Sequence, residues 1–62
     1  MFYVEPNNSS GKRQRVNSSY TESETIELAR LTLLHPHYPW AEQCDVVNED
    51  GDIVAVVARP NV

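Results

Sequence analysis

Side chains able to do chemistry gather in three short stretches of this chain. His35-Pro36-His37 precedes Cys44-Asp45, Asn48–Asp52 concentrates carboxylates, and Ser10–Arg15 holds a Gly, a Lys and two Arg. Each stretch satisfies part of a known pattern. An extended His-x-His can chelate a metal, and Cys44 would add a soft ligand. A closed zinc site needs four ligands at short spacings, and that spacing is absent. Pro36 and Pro39 give the histidines a simpler place in a stiff connection. Asn48-Glu49-Asp50-Gly51-Asp52 has the composition of a calcium loop. With Gly51 as the sixth residue, however, Val46 would hold the first ligand position and Val57 the twelfth. An acidic hairpin tip fits better. Ser10-Gly11-Lys12 overlaps the end of a phosphate loop, which needs an earlier Gly and a Ser or Thr after the Lys; Arg13 stands there instead. A nucleophile drawn from Cys44 or a Ser, with His35 or His37 as base, has nothing beside it to hold an oxyanion or tune a proton. The expectation is a protein without enzymatic activity, cofactor or metal.

The elements that must position these residues are few. Cys44–Arg59 is the clearest hairpin signal: two Val- and Ile-rich runs flank a turn in which Gly51 takes positive φ and Asn48 bonds nearby backbone. A three-residue loop with a Gly51 bulge predicts Val47 opposite Ile53 and Val46 opposite Val54. One face would then carry Cys44, Val46, Val54 and Val56, and the other Val47, Ile53, Ala55 and Val57. Ile53–Ala58 does not alternate. That predicts a central strand, or one whose second face is covered, in so small a chain, by a second copy.

Thr21–Leu34 reads as a helix. Ser19 to Glu22 and Thr21 to Glu24 both have capping-box spacing, and Thr21 is the better cap because it lies nearer the apolar run. Glu22 and Glu24 suit the positive end of the helix dipole, and Pro36 ends the helix by His35. Ile26, Ala29 and Leu33 form one apolar stripe, and Leu28 and Leu31 a neighbouring one. That is wider than a small sheet needs, so Leu28 and Leu31 are candidates for a dimer or partner contact. Phe2–Glu5 reads as a short strand ended by Pro6, with Phe2 and Val4 on one side and Tyr3 and Glu5 on the other. Residues 7–19 read as a long, mobile loop with at most a short extended piece. The expected fold is a single α+β domain over 1–62, β-α-β-β in order, with one helix on a three-stranded, at least partly antiparallel sheet.

Nine acids against five bases give a formal charge of −4. That argues against bulk nucleic-acid binding and suits a basic partner. No stretch is long enough to span a membrane, the N-terminal residues have no signal-peptide character, and the lone Cys44 fits a reducing cytosol as a small core residue. A chain of 62 residues sits near the lower limit for independent folding, so self-association is a plausible support.

The order of a short first strand (Phe2–Glu5), a polar loop, a Thr/Ser/Glu-capped helix (Thr21–Leu34) and a closing acidic-tip hairpin (Cys44–Arg59) resembles small proteins encoded by phages and mobile elements, including some anti-CRISPR proteins. The resemblance is one of architecture and carries no diagnostic motif. It implies a non-enzymatic, cytoplasmic inhibitor that binds a host protein or nucleoprotein complex and blocks nucleic-acid access. From the residues themselves, the candidate contacts are the acidic tip (Glu49, Asp50, Asp52), the basic loop (Lys12, Arg13, Arg15) and the aromatics Tyr38 and Trp40, since Trp, Tyr and Arg commonly anchor interfaces. Two alternatives stay open. One is a nucleic-acid-binding accessory protein using residues 12–15, with affinity that falls with salt. The other is a structural homodimer through Leu28 and Leu31.

Overall fold

The computed structural model describes residues 1–59. It is an α+β domain with one helix packed on a four-stranded antiparallel sheet. The elements run β1 (Phe2–Asn7), β2 (Asn17–Ser19), α1 (Glu22–Leu34), β3 (Gln43–Val47) and β4 (Ile53–Ala58), and the sheet order is β2-β1-β3-β4. The expected plan of one helix on an antiparallel sheet gains a strand. Residues 7–19, expected as a long, mobile loop with at most a short extended piece, are the turn and second arm of a hairpin with β1. Asn7 faces Arg13, and Val4 faces Asn17.

β1 does not stop at Pro6. Backbone groups of alternate β1 residues serve opposite neighbours: the carbonyls of Val4 and Pro6 accept from Val16 and Gln14, while the carbonyl of Asn7 accepts from Glu42. The N–H that Pro6 lacks would therefore point toward the irregular arm before β2 and not into the β1·β3 ladder. A proline is tolerated in a strand at such a place.

The two hairpins share one design. In each, an Asn opens the turn and a Gly at positive φ, Gly11 at 90° or Gly51 at 87°, closes it. The Asn8 side chain accepts from the N–H groups of Ser10 and Lys12, and Asn48 accepts from Asp50 and Asp52 in the same way. Both second arms also carry one residue more than the first arms. Two residues separate Asn7 from Val4 while three separate Arg13 from Asn17, and Val54 is the extra residue between Ile53 and Ala55. The hairpins are related by an offset of 40 residues, and Glu5 and Asp45, equivalent under it, face each other across β1 and β3. A local twofold axis along the sheet normal therefore passes between them.

That extra residue corrects the expected register. Val46 faces Ala55, not Val54, and a one-residue slip exchanges the faces of every later side chain. Cys44, Val46, Ala55 and Val57 face the helix, while Ile53 and Val56 lie on the open face, each 55 % exposed. β4 is an edge strand, not a central one.

The helix begins as expected. Thr21 caps it, its hydroxyl accepting from the N–H of Glu24 at 3.2 Å. The face it buries is Thr25, Ala29, Thr32 and Leu33. Both threonines are compatible with the core because their hydroxyls donate to backbone carbonyls one turn back, Thr21 at 2.6 Å and Leu28 at 2.7 Å. The core joins Val4, Ala29, Leu33, Ala41, Cys44 and Val46, with Tyr38 and Trp40 packed against it. Among the described residues no second layer covers the outer face of the sheet.

Candidate functional site

The sequence singles out ten contact residues, and the fold distributes them over four places. Arg13 and Arg15 lie on the open face of the sheet. Lys12, Tyr38 and Trp40 meet at one end of the strands. Glu49, Asp50 and Asp52 form the turn at the other end. Leu28 and Leu31 line a groove beside the helix.

On the open face, alternation brings Glu5 and Asp45 together on adjacent strands. Two carboxylates directly opposite repel each other, and Asp45 is only 1 % exposed. Arg13 resolves the conflict by donating to both, to Glu5 at 2.8 Å and to Asp45 at 2.6 Å. Arg15, two residues on, donates twice to the other Glu5 oxygen, at 2.9 and 2.6 Å, and its guanidinium lies 4.1 Å from the centre of the Tyr3 ring. Gln43 donates to the remaining Asp45 oxygen at 2.9 Å. Burial pushes the Glu5 carboxyl up, but hydrogen bonds and charge from Arg15 and Arg13 outweigh it and hold it below its ordinary value. The same carboxylates raise Arg13. The two arginines of the basic loop are thus engaged, at the surface, by carboxylates of their own chain.

At one end, the first turn docks on the connection after the helix. Lys12 places its ammonium 4.4 Å from the centre of the Trp40 ring, and Asn8 donates to the Trp40 carbonyl. Ser9 donates through its N–H and its hydroxyl to Glu42. Tyr38 and Trp40 meet edge to face, with centroids 6.2 Å apart. Sequence reasoning missed the residue that organises this end. Arg59 donates to the carbonyls of Leu33 at 2.6 Å, Tyr38 at 2.9 Å and Ala41 at 2.9 Å. It therefore satisfies a carbonyl of the last helical turn, where a cation also suits the dipole. Its signal in the sequence was only an Arg closing an apolar strand.

The opposite end is acidic. The second turn carries Glu49, Asp50 and Asp52, and the chain amino group pairs with Glu49, which lowers that carboxyl from its ordinary value through hydrogen bonding and charge. Ser19 pairs with Phe2 in the sheet, so the helix starts at this same end and adds Glu22 and Glu24. All five carboxylate side chains are on exposed residues.

No family model, curated protein or solved structure matches this chain. The geometry alone therefore carries the reading of the site.

The histidines lie in the connection, with ring centroids 4.7 Å apart, and the His37 N–H donates to His35 Nδ1 at 3.2 Å. They border a groove of about 450 Å³ with Val16, Leu28, Leu31 and Tyr38. Leu31 is 61 % exposed there. Cys44 is buried in β3. Burial first, then the Asp45 charge, push its thiol up to about 11 against the opposing pull of Arg59, so it is a poor nucleophile at neutral pH. Among the described residues no three His, Cys, Asp or Glu side chains gather as metal ligands, and no helix is long and apolar enough to cross a membrane.

Proposed function

We propose that this protein is a non-enzymatic protein-binding module that acts in the cytosol as an inhibitor or modulator of a nucleic-acid-handling complex, in the manner of anti-CRISPR proteins. The observation that supports this is the separation of charge. Glu22, Glu24, Glu49, Asp50 and Asp52 crowd one end as exposed carboxylates, while Arg13 and Arg15, which would offset them, are bound to Glu5 and Asp45. A compact acidic end fits a basic groove built to hold a phosphate backbone, and complementary charge speeds such an encounter. Lys12, Tyr38 and Trp40 belong to the opposite end and would serve a second contact.

Direct nucleic-acid binding through residues 12–15 is the weaker reading, because only Lys12 of that cluster has no carboxylate partner among the described residues. The test is affinity purification of the tagged protein from bacterial lysate with mass spectrometry, beside an Asp50→Lys/Asp52→Lys double variant. The expected result is a stoichiometric nucleoprotein complex held by the parent and released by the variant. Retention of the same complex by the variant would remove the acidic end from the mechanism. Binding of labelled DNA or RNA by the purified protein, weakening steeply as salt rises, would favour the nucleic-acid reading instead.

A further inference from the structure

Among the described residues, β4 ends the sheet in an open edge whose one protective feature is the bulge at Val54. Ile53–Ala58 spans six residues with no charge and no proline, and Val54, the extra residue, sits near its start. The other edge, β2, has three polar residues, and the Asn17 side chain occupies the N–H of Ser18. A long apolar edge left bare is a template for another strand. Its bonding groups can be located. The Arg59 N–H donates to the Glu42 carbonyl on the β3 side. Alternation then turns the N–H and C=O of Val57 and Ala55 toward β3, and those of Val56 and Ala58 outward.

The flanks of β4 select the incoming strand. Asp50 and Asp52 stand at its start. At its end, on the helix side, Arg30 rims a hollow of about 300 Å³ formed with Leu33, Leu34, Val57 and Ala58. Among the described residues Arg30 is held only by Glu27 in an exposed pair one helical turn away, a weak interaction. A suitable strand is apolar on both faces, and brings a carboxylate to Arg30 and a cation to Asp52. β4 of a second copy does this when it runs antiparallel, because Asp52 of each copy then lies beside Arg30 of the other. A parallel arrangement would set the acidic turns side by side.

We propose that the protein is a homodimer joined through β4, with Val56 facing Val56 of the second copy on the twofold axis, so that two four-stranded sheets become one. This is a different surface from the groove at Leu28 and Leu31. Sedimentation equilibrium is expected to give twice the 7.0 kDa chain mass for the parent and for Leu31→Lys, and a monomer for Val56→Lys, whose far-UV circular dichroism is unchanged. Hydrogen exchange on the parent gives a second readout should Val56→Lys fail to fold. The Val56 and Ala58 amides exchange slowly at high protein concentration and speed up on dilution. A monomeric parent at about millimolar concentration, a dimer that survives Val56→Lys, a dimer lost in Leu31→Lys, or Val56 and Ala58 amides that exchange freely in the dimer would each overturn the proposal.

Discussion

Arg13 and Asp45 are 32 residues apart in sequence and 2.6 Å apart in space, and their contact explains how a carboxylate can be buried in a sheet with one open face. The arginine side chain is half exposed and the aspartate is sealed. One guanidinium therefore serves as the cover for a charge that the strand geometry sets on the open face of the sheet. It also separates that charge from Glu5, its equivalent in the other hairpin.

Removing Arg13 is expected to cost more than an exposed arginine usually does. Arg13→Ala leaves Asp45, among the described residues, with only Gln43 as partner, and an uncompensated buried charge typically destabilises by about 3–5 kcal/mol. Gln43 and entering water reduce this, so about 2–3 kcal/mol is expected from urea unfolding. Asp45→Asn placed on Arg13→Ala should recover part of the loss, since the neutral amide needs no counter-charge. A double variant no more stable than Arg13→Ala alone would show that Arg13 acts through packing and not through Asp45.

The pH dependence follows from Glu5. Its folded pKa is held below the ordinary 4.5, so the unfolded chain takes up the proton first. The stabilisation is fully present above the unfolded value and is lost as pH falls through the folded one. The urea midpoint should therefore fall on acidification below about pH 4.5, and Glu5→Gln should flatten that limb. Glu49 shifts in the same direction but is fully exposed, and solvent screens its contribution. An acid limb of equal slope in Glu5→Gln would assign it to other carboxylates.

Much of the fold was legible because local chemistry decided it. Thr21 as cap, Pro36 as stop, and Asn48 with Gly51 as turn act within a few residues of themselves. The second strand was not legible, because Arg13–Ser19 has one apolar residue, Val16, and its pairing comes from the turn at Asn8–Gly11 and from arginines at alternate positions meeting Glu5 and Asp45. That turn repeats the Asn-x-x-Gly of Asn48–Gly51 forty residues earlier, a signal present in the sequence. The register beyond Val46 was not legible, since one extra residue in a run of Val and Ala leaves no mark in composition. Buried Thr25 and Thr32 read as polar although their hydroxyls are satisfied within the helix. Of the candidate contacts, the acidic turn was placed by local signals, whereas the capture of Arg13 and Arg15 depended on strands that only the folded sheet brings together.

Arg59 joins the last turn of the helix to the connection and to β4, and its removal should show both in stability and in the aromatics. Three carbonyls lose a charged donor in Arg59→Ala. Hydrogen bonds to charged groups contribute about 1.5–3 kcal/mol, and partial hydration of the freed carbonyls brings the expected loss to about 2 kcal/mol. Arg59→Lys should recover less than half, because a single ammonium does not have the planar fork that reaches Leu33, Tyr38 and Ala41 together. Trp40 emission should shift to the red as the connection loosens. A full rescue by Lys would mean that charge near the helix end, and not the three-way bond, is what matters.

The shared geometry of the two turns gives a paired prediction. Gly11 and Gly51 have nearly equal positive φ, and a Cβ added at either meets no atom within 4 Å. The penalty for Gly11→Ala or Gly51→Ala is therefore one of backbone conformation alone, about 1–2 kcal/mol, and should be equal at the two sites to within about half a kcal/mol. Gly→Asn should cost less at both, because Asn tolerates the left-handed region better than Ala does. The turns differ in their surroundings: the first docks on Trp40 and Glu42, and the second projects as the acidic end. If Gly11→Ala costs clearly more than Gly51→Ala by chemical denaturation, strain at the first turn is being passed to the Trp40 and Glu42 contacts, and the two hairpins are equivalent in shape but not in what they support.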